Sequence, residues 1–174
     1  FGTIFHRAAE LVYKDLTANG KEIRKEDLDQ VLRNDIKLQN YVDIAFKEEF
    51  FHVALTEKPE YNGTQLINAK VITSYLRQLL RNDLQYAPFF MEGMEKKVTE
   101  IIEIETSQGK LALNIGGTID RIDSKDDTLR IVDYKTGGSP KTPENIKQLF
   151  TPADGRPNYI FQTFLYASIM CRKQ

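Results

Sequence analysis

The sequence holds one cysteine and no tryptophan in 174 residues. A lone thiol, Cys171, excludes an internal disulfide framework. It equally excludes a four-cysteine zinc or iron–sulfur centre built from this chain alone. Charge of one sign is also missing. Lys and Arg number 24 against 25 Asp and Glu, a formal charge of −1. Binding of nucleic acid by bulk charge is thereby excluded, and only a local basic groove remains open. No apolar run approaches the length of a membrane span and no signal segment is visible, so a reducing, cytoplasmic setting without membrane contact is expected. What is present is ordinary for a globular chain: 41% hydrophobic and 28% charged residues in one domain's length. The chain opens on Phe1 rather than Met and stops at Gln174 just after an apolar helical pattern, which suggests a piece of a longer protein.

The first half reads as helical. Ile4, Phe5, Ala8, Leu11, Val12 and Leu16 recur at helical spacing, with Thr3 a candidate N-cap and Asn19-Gly20 a stop. From 21 to 86 the pattern stays helical, with segments over 27–35, 39–55 and 64–86, a break at 59–63, and Pro88 as terminator. At Lys96 the texture changes. Three strands are expected, around 98–104, over 111–123 and over 129–135, followed by a long polar loop with one helical turn near 144–150 and a last helix over 160–170. Gly116-Gly117 interrupts the second strand and suits a bulge or a close backbone approach. The result is a mixed α/β (α+β) domain with a helical insertion.

On a strand, Asp133 and Lys135 point to one face, with Tyr134 on the other. If the strands either side of 124–128 form a hairpin, Asp120 comes near Asp133. Two close carboxylates repel unless a proton or cation lies between them, and a hard divalent cation, Mg²⁺ most commonly, is the natural occupant. The competing reading of Asp133 and Lys135, a surface ion pair worth under about 1 kcal/mol, loses ground once Asp120 is set beside them. His6 and Glu10 share a helix face, and Glu10 has Arg7 as an available partner. His52 reads as a packing residue inside the 39–55 helix. Gln162 and Tyr166 share a face of the last helix, ordinarily a solvated edge, with Phe161, Phe164, Leu165 and Ile169 as its core side.

These pieces stand in an order that resembles a known family. Gly2-Thr3-Ile4-Phe5-His6 with Glu10, Gly117-Thr118-Ile119-Asp120-Arg121-Ile122-Asp123, Asp133-Tyr134-Lys135-Thr136-Gly137 and Gln162-Thr163-Phe164-Leu165-Tyr166 resemble the four motifs of RecB-like nucleases of the PD-(D/E)XK superfamily. The resemblance spans the chain, although 21–86 carries no motif. It implies one domain over 1–174, with 21–86 a helical insertion and 96–174 the catalytic part. The implied core is restriction-endonuclease-like, a central mixed sheet with antiparallel strands between Lys96 and Lys135, flanked by helices. It implies a Mg²⁺- or Mn²⁺-dependent deoxyribonuclease, an exonuclease module of recombination or repair. The expected partners are DNA and a superfamily 1 helicase in the same chain or complex, in the nucleoid-associated cytoplasm. His6, Asp120, Asp133 and the Tyr134 carbonyl would hold the metal. Asp120, Asp133 and Lys135 would be catalytic, with Lys135 positioning the attacking water. Glu10, Arg121, Gln162 and Tyr166 would contact DNA or support the site. Some relatives carry a four-cysteine iron–sulfur cluster; here Gln174 stands where a cysteine partner of Cys171 would be, and no cluster is expected. Arg121, Lys141, Lys147 and Arg156 are the candidate phosphate contacts. The alternatives are an inactive DNA-binding or scaffold module of a helicase complex, and a hydrolase of another phosphoester.

Overall fold

The computed structural model describes residues 1–138, 141–151 and 157–172. The expected phosphate contact Arg156 and the terminal Gln174 lie outside them. The chain divides into two compact units. One comprises 1–92, 123–129 and 134–136, and the other 93–122, 130–133 and 137 onward.

The first unit is helical. Helix α1 (Gly2–Leu16) buries Ile4, Phe5, Ala8, Ala9, Val12 and Tyr13, a stripe of adjacent pairs repeating every four residues. Ala9 and Tyr13 are buried where the sequence pointed to Leu11 and Leu16, which are only half covered. Thr3 lies inside the first turn rather than capping it. After the short strand β1 (Glu22–Ile23) come α2 (Lys25–Leu32) and α3 (Asp35–Phe46), the latter capped by Asn34, whose side chain accepts from the Lys37 amide. The single helix expected over 39–55 is not formed. The chain widens into a π-turn over Lys47–Phe51 and stops at His52, whose φ is +53°. His52 is exposed, and its ring bonds the Glu48 carbonyl, so it closes the turn and does not pack in a core. Phe46, Phe50, Phe51 and Tyr61 cluster around that turn, Phe51 edge-on to both Phe50 and Tyr61. Helix α4 (Gly63–Tyr86) opens on a capping box between Asn62 and Gln65. Tyr13 donates to the buried Asp83 carboxylate, tying α1 to α4.

The four strands lie in one sheet in the order β1-β2-β3-β4. Strand β2 (Phe89–Thr106) begins seven residues before Lys96, where the sequence texture changes, because Phe89 and Met91 alternate with exposed Phe90 and Glu92 directly after Pro88. Its buried positions change phase. Phe89 and Met91 are odd-numbered and the next buried residue is Val98, so one extra residue lies between them. Glu95 stands there with φ +45°, a left-handed conformation uncommon outside Gly, and the signature of a β-bulge.

Strand β3 (Gly109–Lys125) is exposed through its first half and buried over five consecutive residues, Ile119–Asp123. Gly116 and Gly117 mark close approaches, as their sequence suggests. A Cβ on Gly116 would lie 2.1 Å from the Val98 carbonyl oxygen, and one on Gly117 2.5 Å from the Tyr166 hydroxyl. A two-residue turn, Asp126 and Asp127, both left-handed, leads into β4 (Thr128–Val132). After α5 (Lys147–Phe150), the last helix, α6, covers Asn158–Arg172. Its buried residues are Tyr166 and Ile169, whereas Phe164, expected in the core, is 64% exposed.

Candidate metal centre

Strand β4 stops at Val132, so Asp133 and Lys135 lie beyond it in irregular backbone. The same-face argument for a strand therefore does not hold for them. The chain leaving the sheet buries Tyr134 and exposes Lys135, with Asp133 half covered. An apolar ring drawn inward on a turning segment leaves its two polar neighbours outside.

In the first unit, that segment meets α1. His6 Nε2 lies 3.0 Å from the Tyr134 carbonyl oxygen. A carbonyl only accepts, so the ring donates through Nε2–H in this contact. The rings of Phe5 and His6 pack edge-on against Tyr134 at 5.6 and 5.7 Å, which fixes the imidazole's direction. Two groups named as ligands by the motifs, the imidazole and the Tyr134 carbonyl, thus stand side by side. Glu10 serves Arg7, the partner available to it in sequence. Arg7 Nη1 donates to Glu10 at 2.5 Å and Arg7 Nε to Glu48 at 2.6 Å, with Lys14 Nζ 2.6 Å from the other Glu10 oxygen. The Glu48 bond, with those to Glu10, holds the Arg7 guanidinium well above its ordinary pKa. Burial pushes the Glu10 carboxyl up, but its bonds from Lys14 and Arg7 outweigh that and leave it lowered. Glu48 had no sequence signal, because its approach depends on the π-turn.

In the second unit, Asp120 is 6% exposed on β3. Asp133 follows the last residue of β4, Val132, so the ladder of the hairpin ends one residue short of it. A carboxylate oxygen of Glu95 lies within 4.8 Å of one of Asp120. Glu95 was missed in sequence, where it is one of several charges between Glu92 and Lys97. Gln162 and Tyr166 do not form a solvated edge. Gln162 Nε2 donates to the Tyr166 hydroxyl at 2.9 Å, and that hydroxyl donates to the Thr118 carbonyl at 3.0 Å. They brace the strand two residues before Asp120. Arg121 is 1% exposed, so its burial removes the phosphate-contact role and leaves the supporting one. Lys141 and Lys147 are exposed.

Within the second unit, the neighbouring carboxylate oxygens of Glu95 and Asp120 are donors that a hard divalent cation accepts, and adjacent carboxylates call for a counter-charge. The donor set fits such an ion. Among family models, that of the PD-(D/E)XK nuclease superfamily matches the chain over residues 1–174. The chain belongs to this superfamily, whose nucleases use divalent metals. Its four-stranded sheet with flanking helices is the restriction-endonuclease-like arrangement. No curated protein and no solved structure matches the chain. Among the described residues, no helix is long and apolar enough to cross a membrane.

Proposed function

We propose that this chain is a Mg²⁺- or Mn²⁺-dependent deoxyribonuclease of the RecB-like kind, an exonuclease module of DNA recombination or repair. The observation that carries the reading is the superfamily match over all 174 residues, with Asp120, Asp133 and Lys135 intact. A decayed, purely structural copy has no reason to keep all three.

In this proposal His6, Asp120, Asp133 and the Tyr134 carbonyl hold the cation. When bound, the ion supplies Lewis acidity at a phosphate oxygen and lowers the pKa of water. The protein's own contributions follow from its side chains. Lys135, exposed next to the buried Tyr134, brings a fixed positive charge to the scissile phosphate as negative charge develops there, and orients the attacking water. Asp120 anchors the ligand set from a buried strand. Gln162 and Tyr166 hold that strand at Thr118. The proposed partners are DNA and a superfamily 1 helicase in the same chain or complex, acting at the nucleoid in the cytoplasm.

A cleavage assay on labelled single- and double-stranded DNA with Mn²⁺, Mg²⁺ or EDTA tests the reading. Cleavage should need the metal and fall at least about a hundredfold in Lys135→Ala and Asp133→Ala. Product ladders then report exonucleolytic shortening and its polarity. Metal-independent cleavage, or full activity in both variants, would overturn the assignment.

A further inference from the structure

The motifs account for Asp120 and Asp133 but not for Glu95. Glu95 belongs to none of them, and its place in β2 is unusual on two independent counts. Its φ of +45° is a conformation that L-residues rarely adopt. The change of phase between Met91 and Val98 shows that the strand accommodates one extra residue at this point. A bulge re-aims the side chain of the inserted residue and is a common device beside active sites. Backbone requirements alone favour Gly or Asn at such a position, since both take up left-handed φ at lower cost. A glutamate there gains nothing for the backbone over either. What it does place is a carboxylate oxygen within 4.8 Å of one from Asp120 in the same unit. Two oxygens ligating one Mg²⁺ or Mn²⁺ at about 2.1 Å are at most about 4.2 Å apart, so small side-chain rotations bring the pair onto a common ion.

We infer that Glu95 is a further metal ligand of this nuclease, presented by the bulge in β2 to the cation that Asp120 holds. The inference rests on the proposed function, because it takes the metal from that reading. The bulge then has a purpose in the chemistry. It costs the strand its regular pairing and delivers an anionic oxygen from an element that carries no motif. The residue's exposure sets it at the solvent side of the centre, whereas the 6% exposed Asp120 forms the floor.

The test is Mn²⁺ binding by the full chain, read from loss of the free-ion electron paramagnetic resonance signal. Wild type, Glu95→Gln and Glu95→Gly are compared, with melting temperatures taken in EDTA. Glu95→Gln removes the charge at nearly constant shape. Glu95→Gly removes the carboxylate and also relieves the left-handed backbone. Both should bind Mn²⁺ at least about tenfold more weakly, while the EDTA melting temperature stays level in Glu95→Gln and level or higher in Glu95→Gly. Wild-type affinity in either variant overturns the role of Glu95. So does a melting temperature lowered in EDTA by both substitutions, which would make the residue structural. Failure of the wild type itself to bind Mn²⁺ would overturn the nuclease reading, and this inference with it. The two failures are therefore distinguishable.

Discussion

The Tyr166 hydroxyl sits at the meeting point of two motifs. It accepts from Gln162, donates to the Thr118 carbonyl, and occupies the space that any side chain on Gly117 would need. The glycine is thus explained by the ring above it rather than by a turn. Two substitutions separate these contributions. Tyr166→Phe keeps the packing and leaves a carbonyl and an amide without this partner, which should lower stability by about 1–2 kcal/mol in urea denaturation. Gly117→Ala should cost more, about 1–3 kcal/mol, because the methyl carbon would stand 2.5 Å from the hydroxyl and the ring must move. It should also slow cleavage, since Asp120 lies three residues along the displaced strand. If Gly117→Ala melts like wild type, the close approach does not constrain this strand. In sequence the four-residue spacing showed that Gln162 and Tyr166 share a face. It could not show that the face is covered, because a stripe packed on a backbone carbonyl and a stripe facing water have the same pattern.

Elements were legible where periodicity alone decides them and misread where the backbone departs from its period. The extents of helices α1 and α4 follow from their apolar spacing, and the hairpin through 124–128 follows from its turn residues. The π-turn over Lys47–Phe51 and the bulge at Glu95 have no such signature, since each changes the residue count per repeat without changing composition. The end of β4 was missed because Tyr134 continues the alternation while the backbone does not. The π-turn matters for α1 because it sets Glu48 against Arg7, and Arg7 in turn against Glu10. This clamp fixes the rotation of the helix that carries His6. Glu10 has a lowered pKa in the folded chain. Its ion pairs therefore contribute stability above its unfolded value of about 4.3, and that contribution is lost as pH falls through the lower folded value. Glu10→Gln should destabilise the chain by about 1 kcal/mol at pH 7, with the gap to wild type closing below about pH 4. A gap that stays constant from pH 7 to pH 3 would mean the Glu10 charge contributes nothing to the helix's placement.

At the scale of the whole molecule, a chain of formal charge −1 must meet a polyanion through few contacts. Several of its arginines are also committed. Arg7, Arg24, Arg33, Arg77 and Arg172 each pair with a carboxylate, and Arg121 is buried. Exposed Lys141 and Lys147, between the Asp-x-Lys segment and α6, are the phosphate contacts that the proposed function uses. Each phosphate neutralised on duplex DNA releases counter-ions and adds about −0.9 to the slope of log affinity against log salt. Replacing both lysines by alanine should therefore make that slope shallower by about 1.8, and weaken binding at low salt more than at high salt. The substitutions leave His6, Asp120, Asp133 and Lys135 untouched, so cleavage of saturating DNA should persist while affinity drops. An unchanged slope in the double variant would mean that DNA is held elsewhere on the molecule. A lost cleavage rate at saturation would instead place one of these lysines at the reacting phosphate itself.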